Sequence, residues 1–329
     1  MKVGVTLGDP AGIGPEIVAK SLKTFQGKQL VIIGNRENFL EVCSMLNSDR
    51  RNLIESQTFV DIPGEKVEFG RVQRASGKIA LKSIEKSIEL AEAGEIDALA
   101  TAPINKEAIL EAGSKYIDHT AMLAGLTNSG NISTVFEAHR LRIMFMTKHI
   151  SLVEACRHVT KRGVYNAIVE ADRCLNLLGV KGDRIAVAAL NPHAGEAGLF
   201  GREEIEGISP AVEAAKSAFN VSGPYPADSI FHRAALGEFD IVISLYHDQG
   251  HIAAKMLDFD RTVSLNIGLP FLRTSVDHGT AFDVAGRGVA NETSMVEAIE
   301  KAFAYGTAYK KRYERTVEGQ TSRQKRHKN

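Results

Sequence analysis

Short apolar runs alternate with amphipathic stretches along most of the chain. Strand-like runs fall at residues 3–7, 30–34, 98–102, 133–137, 141–146, 185–190, 241–246 and 262–267. Several are apolar on both faces, as Ile185-Ala186-Val187-Ala188-Ala189-Leu190 shows, which suits strands covered by helices on both sides. Between them the period changes to three or four. Leu81, Ile84, Ile88 and Ala91 predict a helix over 76–93. Val164, Ile168, Ala171, Leu175 and Leu178 predict another over 164–179, closed by Gly179. The pattern is that of an α/β protein with mostly parallel strands. No repeat or Pro/Ser-rich linker marks a boundary, but 329 residues are enough for two domains.

Composition narrows the class of protein. The chain is 44% apolar and 24% charged, as folded globular chains are, and no apolar run reaches the ~18 residues of a membrane span. Forty basic residues balance forty acidic ones, which argues against a nucleic-acid-coating or membrane-surface protein. Cys43, Cys156 and Cys174 are too scattered for a metal or disulfide framework, and no signal-peptide pattern precedes the first strand. A cytoplasmic protein is expected. The charge is unevenly placed: residues 310–329 hold eight Lys/Arg against two Glu, so this tail carries +6 and the rest −6. From Gly319 onward the tail is expected to fray.

Three histidines stand just after apolar runs: His149 after 141–146, His193 after 185–190 and His247 after 241–246. Ligands of open α/β sheets bind beyond the carboxyl ends of strands, so three imidazoles there can converge on one divalent metal. On this reading no His-x-x-x-His or Cys-x-x-Cys pair supports a metal by spacing, and any one of the three taken alone is better read as a polar residue satisfying a strand end. His139, His158, His232 and His327 lack this placement. Lys255 and Arg273 are the cations placed to neutralise a phosphate or carboxylate. The loop Gly8-Asp9-Pro10-Ala11-Gly12-Ile13-Gly14-Pro15-Glu16 fits neither a Walker A nor a dinucleotide fingerprint and reads equally well as a tight turn. In the stretch 278–288, small residues allow close backbone approach, while His278 and Asp283 supply a ring and an acceptor.

Together these segments resemble the 4-hydroxythreonine-4-phosphate dehydrogenase family over nearly the whole chain. The signposts are residues 8–16, Thr101-Ala102-Pro103-Ile104-Asn105-Lys106, His119-Thr120, Asn191-Pro192-His193-Ala194-Gly195-Glu196, Tyr246-His247-Asp248-Gln249-Gly250 and the stretch 268–281. Residues 278–291 also resemble the adenine-side segment of isocitrate and isopropylmalate dehydrogenases. The resemblance implies a two-domain isocitrate-dehydrogenase-like fold: one domain over 1–125 and 270–318, a second over 126–269, and a basic tail at 319–329. It also implies a homodimer with its site in the interdomain cleft at the subunit interface.

By the same resemblance His149, His193 and His247 hold a divalent metal (Zn, Co, Mg or Mn), one of the ligands coming from the partner subunit. His119, Thr120, Lys255 and Arg273 bind a phosphorylated substrate. His278, Gly279, Thr280, Ala281, Asp283 and Asn291 face NAD or NADP. Two positions depart from the family pattern: Asp118 stands where Gly is usual, and Ser264 where Asn is usual, although Asn266 lies two residues on along the same strand face. The implied reaction is metal-assisted oxidative decarboxylation of a 4-phosphorylated 3-hydroxy acid: 4-phosphooxy-L-threonine, as in pyridoxal phosphate biosynthesis, 4-phospho-D-threonate or 4-phospho-D-erythronate. Lys255, Asp228 and Asp248 are the candidates for proton transfer or ligand orientation. The rival readings are a phosphate acyltransferase, for which the histidines are superfluous, and a metal-dependent phosphohydrolase, which leaves 278–291 unexplained.

Overall fold

A computed structural model describes residues 1–46 and 56–326. Two compact units are formed, one by residues 1–132 with 263–329 and the other by 133–262.

The first unit carries β1 (Lys2–Thr6), β2 (Gln29–Gly34), β3 (Thr58–Asp61), β4 (Ala98–Thr101), β10 (Val263–Ile267) and β11 (Leu272–Val276) in the order β3-β2-β1-β4-β11-β10. All neighbours are parallel except the β10–β11 pair. Its helices are α1 (Gly14–Ser21), α2 (Arg36–Met45), α3 (Arg74–Glu92), α4 (Lys106–Glu111), α5 (His119–Leu126) and α11 (Thr293–Arg326). Ile79, Ile84 and Ile88 of α3 pack on Val31, Ile33 and Leu99 of the strands in one apolar cluster.

The second unit orders its strands β5 (Ser133–Ala138), β6 (Leu141–Phe145), β9 (Ile241–Ser244), β7 (Ile185–Ala188) and β8 (Val221–Tyr225). Here only β5 and β6 pair antiparallel. Its helices are α6 (Leu152–His158), α7 (Lys161–Leu178), α8 (Ser209–Ala215), α9 (Ala227–Ala235) and α10 (His247–Leu257). In α7 the expected stripe is buried, Thr160 caps the start, and Gly179 ends the helix in the left-handed conformation at φ 74°.

The architecture is therefore α/β with mostly parallel strands, as the periodicity predicts. Strands β3, β8 and β11 were not foreseen. The first two are sheet-edge strands whose side chains are mostly half-exposed. β11 is fully buried yet carries Arg273, Thr274 and Ser275, so no apolar alternation announces it. The helix α11 runs to Arg326 where fraying from Gly319 was expected. Glu, Gln, Lys and Arg are all good helix formers, which favours continuing the helix. No helix among the described residues is long and apolar enough to cross a membrane.

Candidate active site

The first unit buries a cation without a carboxylate to hold it. Arg273 on β11 is 5% exposed. Its guanidinium donates to Thr101 Oγ1 from Nε at 3.0 Å and from Nη2 at 2.8 Å, and to Asn266 Oδ1 from Nη1. All these acceptors are neutral, and burial brings the guanidinium down to about 10, with Asp118 opposing the shift. Beside it, at the start of α5, lies His119, buried and with Nε2 lacking any hydrogen-bond partner. Burial, reinforced by the Arg273 charge, holds this imidazole well below the usual histidine range, so it is neutral at pH 7. Thr120 Oγ1 donates to Asn266 Oδ1 at 3.5 Å. A buried guanidinium with spare N–H groups, a neutral imidazole and a hydroxyl make a receptor for an anion with several oxygens.

The two unusual positions have local explanations. The Asp118 carboxylate accepts the Ala121 N–H at 2.8 Å and caps α5, so it serves the helix that presents His119 and Thr120. Ser264 and Asn266 are both buried on β10, and Asn266 is the one that meets Arg273 and Thr120.

In the second unit His149 and His247 come together, with ring centroids 5.7 Å apart. Both line a pocket of about 300 Å³ with Lys148, Ile150, Leu152, Ala155, Tyr246 and Asp248. Asp248 Oδ1 lies 2.7 Å from His247 Nδ1, which leaves Nε2 as the nitrogen free to bind a ligand. His193 does not join this pair and makes its ring contact with Phe200 instead, at 6.5 Å. Among the described residues no group of three or more His, Cys, Asp or Glu is close enough to hold a metal ion. One chain thus assembles two of the three expected ligands. Asp228 is exposed in the first turn of α9 and bonds to none of the three histidines.

A fourth imidazole was missed. His251 follows His247 by one helical turn, the i, i+4 spacing that places two histidines on one face. Its ring stacks on that of His247 at 3.7 Å and 13°, and packs against Phe136 and Phe145 at 4.2 and 4.7 Å. Burial first, then the charges of His247 and Lys255, bring it down to about 4. Lys255 continues the same face one turn further, with Nζ 5.3 Å from the Phe259 ring.

His193 sits in an unusual turn. Residues His193, Ala194, Gly195, Glu196 and Ala197 all have left-handed φ, between 44° and 82°. Each non-glycine residue there costs roughly 1–2 kcal/mol. The buried Glu204 offsets this: its Oε1 accepts the Leu190 and Asn191 N–H groups, both at 2.8 Å, and its Oε2 accepts from Asn191 Nδ2 at 2.8 Å. Nothing in the local sequence marks Glu204, because its partners, two backbone N–H groups and the Asn191 amide, are reached only through the turn.

The stretch 278–291 returns to the first unit. His278 is half-buried with Nδ1 3.1 Å from Gly279 O, Thr280 is buried, and Asp283 and Asn291 are exposed. A side chain added at Gly279 would meet open space, whereas Ala281 has φ 41°. The glycine loop 8–16 packs beneath it. Gly12 lies where a Cβ would be 2.9 Å from Thr280 O, and Ile13 N donates to that oxygen at 3.0 Å. Gly8 takes φ 69° with its would-be Cβ 2.2 Å from Pro103 O. The glycines bring protein backbone against protein backbone, which decides for the tight turn. Asp9 is fully buried there, accepting from Ala11 N at 2.8 Å and Ser76 Oγ at 3.3 Å.

Comparison with known proteins places the chain among dehydrogenases that act on a CH–OH group. The description "Pyridoxal phosphate biosynthetic protein PdxA" matches residues 16–302, and the chain belongs to the PdxA family. A relative from Clostridium botulinum (strain Langeland), named "Putative D-threonate 4-phosphate dehydrogenase", is 46% identical over 327 residues, covering 94% of this chain and 98% of its own. The crystal structure of 4-hydroxythreonine-4-phosphate dehydrogenase from Klebsiella pneumoniae is 39% identical with a TM-score of 0.82, covering 93% of this chain and 99% of its own. The 4-hydroxythreonine-4-phosphate dehydrogenase from Burkholderia phymatum is 38% identical with a TM-score of 0.78, covering 92% and 98%.

Proposed function

We propose that this dehydrogenase oxidises and decarboxylates a 4-phosphorylated 3-hydroxy acid, with 4-phospho-D-threonate as the leading candidate. The observation that carries the reading is Arg273: a buried guanidinium bonded only to neutral acceptors, beside the unpartnered His119 Nε2. The name of the Clostridium botulinum relative supports the D-threonate branch over the pyridoxal phosphate one.

In this reading Arg273, His119, Thr120 and Asn266 take the phosphate and the polar atoms near it. His119, held neutral, donates or accepts a hydrogen bond without adding charge. The donor set fits a divalent cation in part: His149 and His247 form a pair, and Asp248 fixes the His247 tautomer. His149, His193 and His247, one of the three supplied by a second copy, would hold such an ion, which would supply Lewis acidity at the substrate hydroxyl and at the charge left by decarboxylation. His278, Gly279, Asp283 and Asn291 would hold NAD or NADP, which would supply the acceptor for the hydride of C3. Lys255 would relay a proton to the enolate carbon after CO2 leaves, or screen its charge. Asp228, exposed and bonded to none of the three histidines, is the weakest of the proposed acid–base groups. From 4-phospho-D-threonate the products would be dihydroxyacetone phosphate, CO2 and reduced dinucleotide. A homodimer suits the exposed Ile150, Leu152 and Val153 beside the histidine pocket. The setting would be the cytoplasm.

The test is turnover at 340 nm with NAD and NADP on 4-phospho-D-threonate, 4-phospho-D-erythronate and 4-phosphooxy-L-threonine, before and after chelation. Dinucleotide reduction that stops with chelator and returns with a divalent ion is expected. Phosphate release with no change at 340 nm would instead establish a phosphohydrolase.

A further inference from the structure

The motif at residues 8–16 ends in a glutamate whose job the proposed chemistry does not absorb. Glu16 lies on the first turn of α1 with its side chain 3% exposed, paired with Lys20 one turn later at 2.7 Å. Neither end of this ion pair is spent on α1 alone. Glu16 Oε1 accepts the Ala290 N–H at 2.7 Å and Oε2 accepts the Gly288 N–H at 3.2 Å. Lys20 Nζ donates to the carbonyls of the same two residues, Gly288 at 2.9 Å and Ala290 at 2.6 Å. One buried ion pair thus satisfies all four polar groups of the backbone on both sides of Val289, whose own side chain is exposed.

Within the segment the backbone is held by turn bonds, from Val284 N–H to Ala281 O at 3.1 Å and from Arg287 N–H to Val284 O at 3.3 Å. Gly286 and Gly288 both have φ 72°, so the backbone between the buried Ala285 and Ala290 has wide conformational freedom. The other end of the segment is fixed by Ile13 N on Thr280 O, again from the same motif. The motif therefore pins the segment 278–291 at two places, and Asp283 is exposed between them.

We propose that Glu16 and Lys20 are positioning residues for the dinucleotide: they lock the backbone around Val289 so that residues 278–291 hold their binding form. The inference rests on the reading of that segment as the dinucleotide-binding one. Glu16 is too deeply buried to touch the ligand, the Lys20 ammonium is engaged by Glu16 and two carbonyls, and the two charges cancel. The pair's effect is on the fraction of molecules whose loop is competent, and apparent affinity falls in proportion to that fraction. Glu16→Gln keeps the length of the side chain but places an N–H2 group against a backbone N–H, so one donor loses its acceptor.

The test uses the full-length protein and titrates NAD and NADP by calorimetry. Amide hydrogen exchange over 284–291 is followed in parallel. For Glu16→Gln the expected results are faster exchange at Gly288 and Ala290, a dinucleotide Kd raised about tenfold, and an unchanged KM for the hydroxy acid. At saturating dinucleotide kcat stays within about twofold, since the competent form is then fully populated. Lys20→Met, which keeps the two backbone N–H contacts of Glu16 but removes its counter-ion and both carbonyl contacts, gives a shift of the same kind and serves if Glu16→Gln fails to fold. Faster exchange with an unchanged Kd, while Asp283→Ala weakens binding, overturns the proposal and leaves the segment's assignment standing. If Asp283→Ala and Glu16→Gln both leave Kd unchanged, the segment does not bind the dinucleotide and the proposal falls with it.

Discussion

Asp9 offers a stability experiment whose sign and size follow from its position. It is fully buried at the end of β1, and burial pushes its carboxyl up to about 6, only partly countered by the Ala11, Ser76 and Asn105 hydrogen bonds. In the unfolded chain the same group titrates near 3.8. The folded state therefore binds the proton more tightly, and its advantage is complete below the unfolded value. That advantage is lost as pH rises through about 6, where the carboxylate is ionised inside the fold. The full penalty at neutral pH is about 3 kcal/mol, from some two pKa units at 1.36 kcal/mol each.

Asp9→Asn keeps the shape and removes the charge. The Asn oxygen still accepts from Ala11 N, and its N–H2 group faces Ser76 Oγ, which can accept because it donates to the Gln73 carbonyl. Linkage predicts that the variant gains about 2 kcal/mol relative to the parent between pH 4 and pH 7.5. Most of that gain should fall between pH 4 and 6. The chain has no tryptophan, so urea unfolding should be followed by circular dichroism at 222 nm. Comparing the two proteins at each pH cancels every other titrating group. Parallel stability curves, or a gain concentrated below pH 4, would refute the argument that Asp9 is ionised at a desolvation cost.

Two further outcomes follow from the sites. Replacing Arg273 by Met removes a charged, multiply bonded guanidinium, and kcat/KM for the phosphorylated substrate should fall near a hundredfold, or about 2–3 kcal/mol. Thermal stability should hold, since the buried charge has no anionic hydrogen-bond partner to lose; a variant that unfolds with no selective loss for phosphorylated substrates would make Arg273 merely structural. His251 is held below its usual range, so the unfolded chain binds its proton first and stability is lost as pH falls from 6.5 toward about 4. His251→Phe, which suits the surrounding Phe136 and Phe145 rings, should lessen that acid loss in urea titrations; an unchanged acid limb would show that His251 protonates without cost.

The sequence by itself determined the class of fold, because burial on both faces forces apolar runs and amphipathic helices force a period near 3.6. It also singled out His149, His193 and His247, since placement after an apolar run is a local property. Arg273 was visible as a candidate cation. Its setting was not: Thr101, Asn266 and Arg273 lie on three different strands, and only their register brings a guanidinium against two neutral acceptors. The same limit hid Glu204 and Glu16. Each carboxylate is satisfied by backbone N–H groups distant in sequence, and backbone donors carry no residue signature. His251 is a different case, for its spacing from His247 was legible and was passed over. The glycine loop shows most plainly what tertiary structure alone decides. A run rich in glycine says that something approaches closely, and only the fold shows that the visitor is the backbone of residues 102–103 and 280.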